Sequence, residues 1–232
     1  MERGIKMSIV LRLEKKMTSS RFFQITIITC FLLLNSCSPK YGIQLQNGDL
    51  LFVSADDGQL SDAIDRVTQT TKSTHYSHVA LLEKSGKDCW VLQADTRNGS
   101  ERIPLSKFLQ YTKDDKNSID VYRLSPAFQQ TIPNAVQAAK TMLGKPYNYT
   151  YILSDTAFYC SDFVQRAFAR DTVFSLAPMS FKDSTGNTNK VWFDFYQKQH
   201  LAVPEGKPGC NPNGLANSDK IRFVGIILRG KI

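Results

Sequence analysis

The protein has 232 residues, of which 42% are hydrophobic and 22% charged, and its formal net charge is +8. A chain of this length and composition can bury a hydrophobic core, so wholesale disorder is excluded and one domain, or at most two, is expected. The first 36 residues hold six Lys/Arg and two Glu, and the remainder holds 23 basic and 19 acidic residues. These remaining basic residues are scattered without a stripe, which argues against nucleic-acid binding.

The chain begins with a basic stretch that ends at Arg21, and an apolar run over residues 22–34 follows. That run is 13 residues long, whereas a membrane-spanning helix needs roughly 20 residues and a signal-peptide core about 7–15. The next residues, Leu34-Asn35-Ser36-Cys37, resemble the bacterial lipobox, in which signal peptidase cuts before a cysteine that carries lipid. Met17 is an alternative start to Met1, because a start there gives a more typical signal.

These features predict three segments: a lipoprotein-type signal peptide over residues 1–36, a tether over 37–46 and a folded domain over 47–232. A short anchor, or an ordinary signal with an incidental cysteine, is the alternative. Lipid on Cys37 would hold the domain on a membrane of the bacterial cell envelope, outside the cytoplasm, because several acyl chains together give durable attachment.

Apolar alternation and turn residues predict the following strands: Asp49–Val53, Ser77–Glu83, Cys89–Ala94, Arg102–Pro104, Ile119–Leu124 and Ile221–Leu228. Apolar residues at helical spacing predict the following helices: Ser61–Gln69, Leu105–Tyr111, Thr131–Leu143 and Phe158–Arg170. The short connection Ser85-Gly86-Lys87 predicts a hairpin between the second and third strands. Val191–Gln199 is helical or extended, and Pro204–Ser218, rich in Gly, Pro and Asn, is predicted to be a loop. The pattern indicates one α+β domain.

Two residues stand out chemically. Cys160 lies at the start of an amphipathic helix predicted from about Phe158, and the partial positive charge of the helix N-terminus favours a thiolate there. His78 begins an apolar strand. An imidazole beside a thiol can take its proton and later protonate a leaving group. An inert packed cysteine and a merely hydrogen-bonded histidine are the alternatives. His75 and His200 have no ligand-like neighbours in the sequence, so neither a metal site nor a cofactor is predicted.

Five motifs occur in a recognisable order: Asn47–Phe52, Tyr76–Leu81, Val91–Ala94, Gly144–Asn148 and Tyr159–Val164. This series resembles the YiiX/YebB-like branch of the NlpC/P60 superfamily, which are permuted papain-like cysteine hydrolases. The histidine strand precedes the cysteine helix, as the permuted branch requires, and the resemblance spans about residues 47–170. It implies a circularly permuted papain-like fold, with an antiparallel sheet packed on helices.

The resemblance implies that Cys160 is the nucleophile and His78 the general base. The branch commonly has Val-x-Glu-Ala after the histidine strand, and Gln93 stands where that glutamate supplies the third member. A Gln carbonyl can accept an imidazole N–H, but a carboxylate stabilises imidazolium better, so Gln93→Glu is expected to strengthen the pair. Asp95 is the alternative third member. Tyr76, placed on the strand face of His78, is a candidate oxyanion donor or substrate contact, with a core aromatic residue as the alternative; the backbone N–H of Cys160 is the other donor.

Two further features leave alternatives open. Cys89 and Cys210 either pair in an oxidising compartment or, as is common for a cysteine in an apolar strand, simply pack. The aromatic run Tyr147–Tyr151 either lines a substrate groove or covers the core.

The resemblance implies hydrolysis of an amide bond through an acyl-enzyme on Cys160. Peptide or cell-wall peptide is a natural substrate for an envelope lipoprotein, and a lipid or acyl amide or ester is the second option. Because Gln93 replaces the usual glutamate, a catalytically silent binding lipoprotein of the same fold is an alternative. An accessory lipoprotein is a third interpretation. A silent protein has no need of a reactive thiol, so the reactivity of Cys160 discriminates among these functions.

Overall fold

The structure is a computed structural model, and it describes residues 42–54, 58–111, 118–183 and 185–227. The predicted signal peptide, the lipobox with Cys37 and the first part of the tether lie outside the described residues. Over the described ranges, no helix combines the length and apolar character needed to cross a membrane.

A central antiparallel sheet organises the described part of the chain. Its strands are β1 (Leu50–Ser54), β2 (Tyr76–Ser85), β3 (Asp88–Asp95), β4 (Gly99–Pro104), β5 (Ile119–Leu124) and β8 (Ile221–Ile226). They are hydrogen-bonded in the order β4-β3-β2-β1-β5-β8. A second, two-stranded sheet pairs β6 (Ala177–Pro178) with β7 (Pro208–Gly209).

The α-helices of the described residues are α1 (Gln59–Val67), α2 (Leu105–Tyr111), α3 (Ile132–Thr141), α4 (Cys160–Ala167), α5 (Lys190–Lys198) and α6 (Pro212–Ala216). Two short 3₁₀ helices, Pro126–Thr131 and Ala169–Asp171, precede α3 and follow α4. These helices lie on both faces of the sheet, so the α+β architecture predicted from the sequence is confirmed.

Strand alternation divides the hydrophobic core between the two faces of the sheet. Leu81 and Leu92 lie in a cluster with Phe163 of α4, whereas Ala80 lies in a second cluster with Phe108 of α2. All five side chains are buried, and fully burying a side chain such as Phe163 contributes on the order of 1.5–3 kcal/mol. Helix α4 packs on α3 and on strands β2 and β3, which brings its first turn to the sheet.

A third cluster, here called the aromatic cluster, lies beside α5 and consists of Tyr151, Tyr159, Phe181, Trp192 and Tyr196 with Ala63. The indole N–H of Trp192 donates to the carbonyl oxygen of Ala63 at 3.1 Å, which ties α5 to α1. The rings of the aromatic cluster pack largely edge to face, an arrangement that aromatic quadrupoles favour.

The predicted elements are largely present. The sequence left one region ambiguous and assigned another region wrongly in part. Residues 191–199, ambiguous in the sequence, belong almost entirely to helix α5. The loop predicted over Pro204–Ser218 was wrong in part, because it contains β7 and α6. The Asn211 side chain caps α6 by accepting from Gly214 N–H at 2.7 Å. Asn213 is fully buried and accepts from the Tyr76 backbone N–H at 2.9 Å, so this short helix is fixed by tertiary contacts.

Candidate active site

His78 lies near the start of β2, one of the inner strands of the sheet. It pairs with Val53 of β1, and its imidazole lies 6.3 Å, ring centre to ring centre, from Phe108 of α2. Pairing with β1 restrains the backbone beneath the ring, and Phe108 restrains the ring from one side. The imidazole therefore has the rigid support that a general base would require.

Cys160 is the first residue of α4, and Tyr159 before it is extended and acts as the N-cap residue. The thiol is buried, and the imidazole of His78 lies close enough to it for their interaction to raise the pKa of the ring. Burial alone lowers the pKa of His78, but the hydrogen bond and charge of Cys160, together with Asp95 and Gln93, raise that pKa above its ordinary value. The surroundings therefore favour imidazolium beside the sulfur.

Gln93 of β3 occupies the other side of the imidazole ring. The Nε2–H of His78 donates to the Oε1 of Gln93 over 2.8 Å. Because Nε2 carries the proton in that bond, the neutral imidazole has its lone pair on Nδ1, the remaining ring nitrogen. This is the tautomer that can accept a proton from the thiol of Cys160, so the three residues form an ordered Cys–His–Gln arrangement.

Two residues that the sequence pattern did not single out extend this arrangement. The Nε2–H of Gln93 donates to the Oε1 of Glu101 at 2.9 Å, and the Nδ2–H of Asn98 donates to the Oε2 of Glu101 at 3.0 Å. Gln93 and Glu101 are directly opposite one another in the register of β3 and β4. The register of these two strands is the signal that could have identified Glu101. The strand predicted from the sequence began only at Arg102, so Glu101 lay outside it.

A close approach between β4 and the segment before α4 supports the site. Gly99 has a φ of +71°, and a Cβ there would collide with the backbone of Lys145. Ser100 N–H donates to the Lys145 carbonyl at 2.8 Å, and Tyr147 forms an isolated parallel bridge with Phe158. This pairing places Tyr147 close to the start of α4, because Phe158 lies just before the helix.

Asp95, the alternative third member, does not hold the imidazole. Its carboxylate accepts from the Arg97 backbone N–H at 2.9 Å, while its charge contributes to the raised pKa of His78. The structure thus favours Gln93 as the hydrogen-bonding partner of His78 and gives Asp95 an electrostatic contribution.

The expectation that Tyr76 shares the strand face of His78 was wrong. The register of β1 and β2 shifts between Val53, which pairs with His78, and Ser54, which pairs with Tyr76. This irregularity interrupts the alternation, so Tyr76 joins the core cluster on the α4 side of the sheet. Its hydroxyl donates to Asp120 at 2.6 Å and is therefore engaged inside the core. Tyr76 fits the core alternative and is not retained as an oxyanion donor.

A cavity of about 330 Å³ lies against the sulfur side of the site. Besides Cys160, its lining includes four members of the aromatic cluster, Tyr151, Tyr159, Phe181 and Trp192, together with Tyr147 and Met179. Tyr147 and Tyr151 pack edge to face, and burial raises the pKa of both phenols. These two residues of the aromatic run therefore line a groove and also close the core, and their hydroxyls stay neutral near Cys160.

The family model for permuted papain-like amidases, the YaeF/YiiX or C92 family, matches residues 44–225. The chain belongs to this family. The C92 match contains every residue of the Cys–His–Gln arrangement together with Glu101 and the cavity lining.

Two relatives from Escherichia coli agree with this C92 membership. The uncharacterized protein YiiX of strain K12 is 30% identical over 132 residues, a match that covers 56% of this chain and 60% of that relative. The crystal structure of the metalloprotein YiiX from O157:H7 aligns with a TM-score of 0.63 at 21% identity, and covers 79% of this chain and 98% of that one. At this identity, the crystal structure supports the permuted papain-like fold alone.

The description of that neighbour as a metalloprotein raises the question of a metal site in this C92 chain. Among residues 42–54, 58–111, 118–183 and 185–227, no group of three or more His, Cys, Asp or Glu side chains could hold a metal ion. The described donors therefore do not fit a metal centre, and no step below passes through one.

The remaining thiols of the described chain have other surroundings. Cys89 and Cys210 are both free, and they pack in different clusters, Cys89 on the α2 side of the sheet and Cys210 on the α4 side. Burial raises the pKa of Cys89 and raises that of Cys210 to about 12. Both are therefore protonated at neutral pH, in keeping with the packed alternative. Cys160 alone of these thiols has an imidazole partner and a helix N-terminus.

Proposed function

We propose that this C92 chain is a cysteine amidase that cleaves a peptide amide, with cell-wall peptide as the leading substrate class. Cys160 forms the acyl-enzyme and His78 transfers the protons. The observation that carries the proposal is the proximity of the imidazole of His78, held by Gln93, to the thiol of Cys160, which itself lines a cavity.

The residues account for both halves of the reaction. The Cys160 thiolate attacks the amide carbonyl carbon, and the tetrahedral oxyanion accepts from the Cys160 backbone N–H, which as the first residue of α4 has no intrahelical acceptor. The imidazolium of His78 gives its proton to the leaving amine nitrogen as the C–N bond breaks. Imidazole then takes a proton from water, whose oxygen attacks the thioester and releases the acid and the thiolate.

The location of the enzyme is part of the same proposal. The lipobox-like sequence that ends at Cys37 supports a lipid anchor on the bacterial cell envelope, with the domain facing outside the cytoplasm. Such an anchor would hold the cavity beside peptidoglycan, and no nucleic-acid partner is proposed.

Trapping the acyl-enzyme tests the function and identifies the substrate. Full-length protein is incubated with envelope extract and with purified cell-wall peptides, quenched in acid and digested, and the peptide containing Cys160 is weighed. We expect a mass increase that hydroxylamine removes, since thioesters are labile to it. Cys160→Ala removes the site, and Cys89→Ala is the matched control because it deletes a thiol on the other side of the sheet. Absence of any adduct and of any released amine would contradict the proposal.

The character of the cavity favours a second candidate, hydrolysis of an acyl amide or ester. Five aromatic side chains and the thioether of Met179 contribute to the cavity wall that also includes Cys160, and such groups accept an acyl chain as readily as an apolar amino-acid side chain. The same trapping experiment separates the two: a fatty-acyl mass on Cys160 supports the second candidate, and an aminoacyl or peptidyl mass supports the first.

A further inference from the structure

The geometry points to Glu101 as a positioning residue that acts on the active site through Gln93: its carboxylate fixes the direction of the Gln93 amide and thereby selects the tautomer of His78. This inference rests on the proposed function and deepens it, because it says how an amide at position 93 supports a Cys–His pair. The chain of contacts runs from Asn98 through Glu101 and Gln93 to His78.

The direction of the amide follows from the acceptor on its far side. A carboxylate offers no proton, so the Gln93 group that lies 2.9 Å from Glu101 Oε1 has to be the NH₂. The carbonyl of Gln93 then faces His78, where it lies 2.8 Å from Nε2. An acceptor at Nε2 places the imidazole proton there and leaves Nδ1 free to receive the proton of the thiol.

Without Glu101, the side-chain amide of Gln93 can rotate by half a turn and exchange the positions of its C=O and NH₂ groups. A turned amide presents N–H to Nε2, which holds the imidazole proton on Nδ1, and a protonated Nδ1 cannot accept from the thiol of Cys160. Gln93 is 1% exposed, so water cannot readily take the place of either partner. The carboxylate therefore excludes the unproductive tautomer. Asn98, which is exposed, restrains Glu101 from its outer side.

The structure also reverses the sequence-based expectation for Gln93→Glu. A carboxylate at position 93 would stand directly opposite Glu101 at hydrogen-bonding distance. Two carboxylates that share one site cannot both ionise near neutral pH, so one of them binds a proton. The single change is expected to lower activity near neutral pH. The exchange Gln93→Glu with Glu101→Gln keeps one charge and one amide in the pair, and it places the carboxylate directly on His78.

Nitrogen NMR of the imidazole reads the tautomer itself. Full-length protein in detergent with ¹⁵N-histidine has three imidazoles, and His78→Gln assigns the relevant one. All samples carry Cys160→Ala, which removes the influence of a thiolate on the ring. Spectra are recorded at a pH at which the imidazole of His78 is neutral. We expect the Nε2–H tautomer with Glu101 present and a substantial Nδ1–H population in Glu101→Ala. The same Nε2–H tautomer in both samples would overturn the inference.

Alkylation of Cys160 by iodoacetamide gives the functional readout. Glu101→Ala is expected to slow it by roughly ten- to a hundredfold, by analogy with the outer-shell groups that orient metal-binding histidines. The double exchange is expected to restore the rate to within a fewfold of wild type. Asp88→Asn is the matched control, because it removes an exposed carboxylate from the opposite end of β3, and it should leave the rate unchanged.

The outcomes separate this inference from the proposed function. If His78→Ala slows alkylation of Cys160 but Glu101→Ala does not, the positioning role is refuted and the amidase proposal stands. If His78→Ala also leaves the rate unchanged, the Cys–His pair itself fails. Slowing by Glu101→Ala with no recovery in the double exchange would also contradict the positioning role, because a purely structural residue behaves in that way.

Discussion

The imidazole of His78 donates from Nε2 to the amide oxygen of Gln93 at 2.8 Å, so an uncharged group rather than a carboxylate orients this ring. An amide fixes the ring and its tautomer, but it stabilises the imidazolium less than a carboxylate would. The charge that raises the pKa of His78 is supplied mainly by Cys160, with a smaller contribution from Asp95.

Replacement of Gln93 by alanine should lower acylation of Cys160. The variant leaves Nε2–H of His78 and the carboxylate of Glu101 without their present partner, and an unsatisfied buried polar group costs about 1–3 kcal/mol. We expect a loss of roughly ten- to a hundredfold in the burst rate with p-nitrophenyl acetate. Thermal melts identify any contribution from unfolding. A burst rate equal to that of the wild type would show that Gln93 does not orient the base.

The titration of His78 should depend on Cys160. Burial lowers the pKa of this imidazole, and the hydrogen bond and charge of Cys160 are the largest effects that raise it, followed by Asp95 and Gln93. Wild-type His78 should therefore stay protonated above 6.5. Catalysis that needs imidazolium should be lost as the pH rises through that elevated pKa. In Cys160→Ala, burial should dominate and bring the pKa below that of the wild type. Proton NMR of the imidazole C–H measures both, and identical titrations would contradict this account.

The buried Asp162 predicts a pH effect on stability. Burial raises the pKa of this carboxyl from 3.8 to about 6, although Arg166 donates to it at 2.7 Å, and its second oxygen has no partner. The folded protein binds this proton more tightly than the unfolded chain, so the contribution of Asp162 to stability falls as the pH rises between these two values. Relative to Asp162→Asn, wild type should lose melting temperature from about pH 4 to about pH 7. A constant difference between the two melting temperatures would show that Asp162 does not titrate in this range.

Lipidation should require Cys37. The sequence before it resembles a lipobox, and the apolar run over residues 22–34 has the length of a signal-peptide core. Cells fed an alkyne fatty acid should label the wild-type protein and Cys30→Ala, which deletes a cysteine inside the apolar run. Cys37→Ala should be unlabelled, and a label that persists in that variant would refute the anchor.

Periodicity predicted the elements that carry Cys160 and His78, a helix start and an apolar strand, and the structure has both. The motif order predicted the permuted fold to which the family match belongs. Tyr76 was assigned to the wrong face because a one-residue irregularity opposite β1 changes the alternation and leaves no clear mark in the sequence. Glu101 was missed because its importance depends on the register between β3 and β4.

The cavity also depends on long-range contacts that local sequence patterns do not reveal. Tyr147, Phe181 and Trp192 come from three separate segments, and they meet beside Cys160 only after the chain has folded. Each residue by itself has the pattern of a core aromatic. The group of aromatic side chains that lines the cavity is therefore visible only in the tertiary structure.

Activation of Cys160 by His78 determines the rate at which iodoacetamide alkylates this thiol at neutral pH. Mass spectrometry follows the Cys160 peptide in full-length wild type and in His78→Ala, with Cys89 as an internal reference thiol because burial raises its pKa. We expect Cys160 to react much faster than Cys89 in the wild type, and His78→Ala to remove most of this advantage. If Cys160 reacts no faster than a free thiol and His78→Ala leaves its rate unchanged, the amidase account is contradicted and a silent binding protein of the C92 fold takes its place.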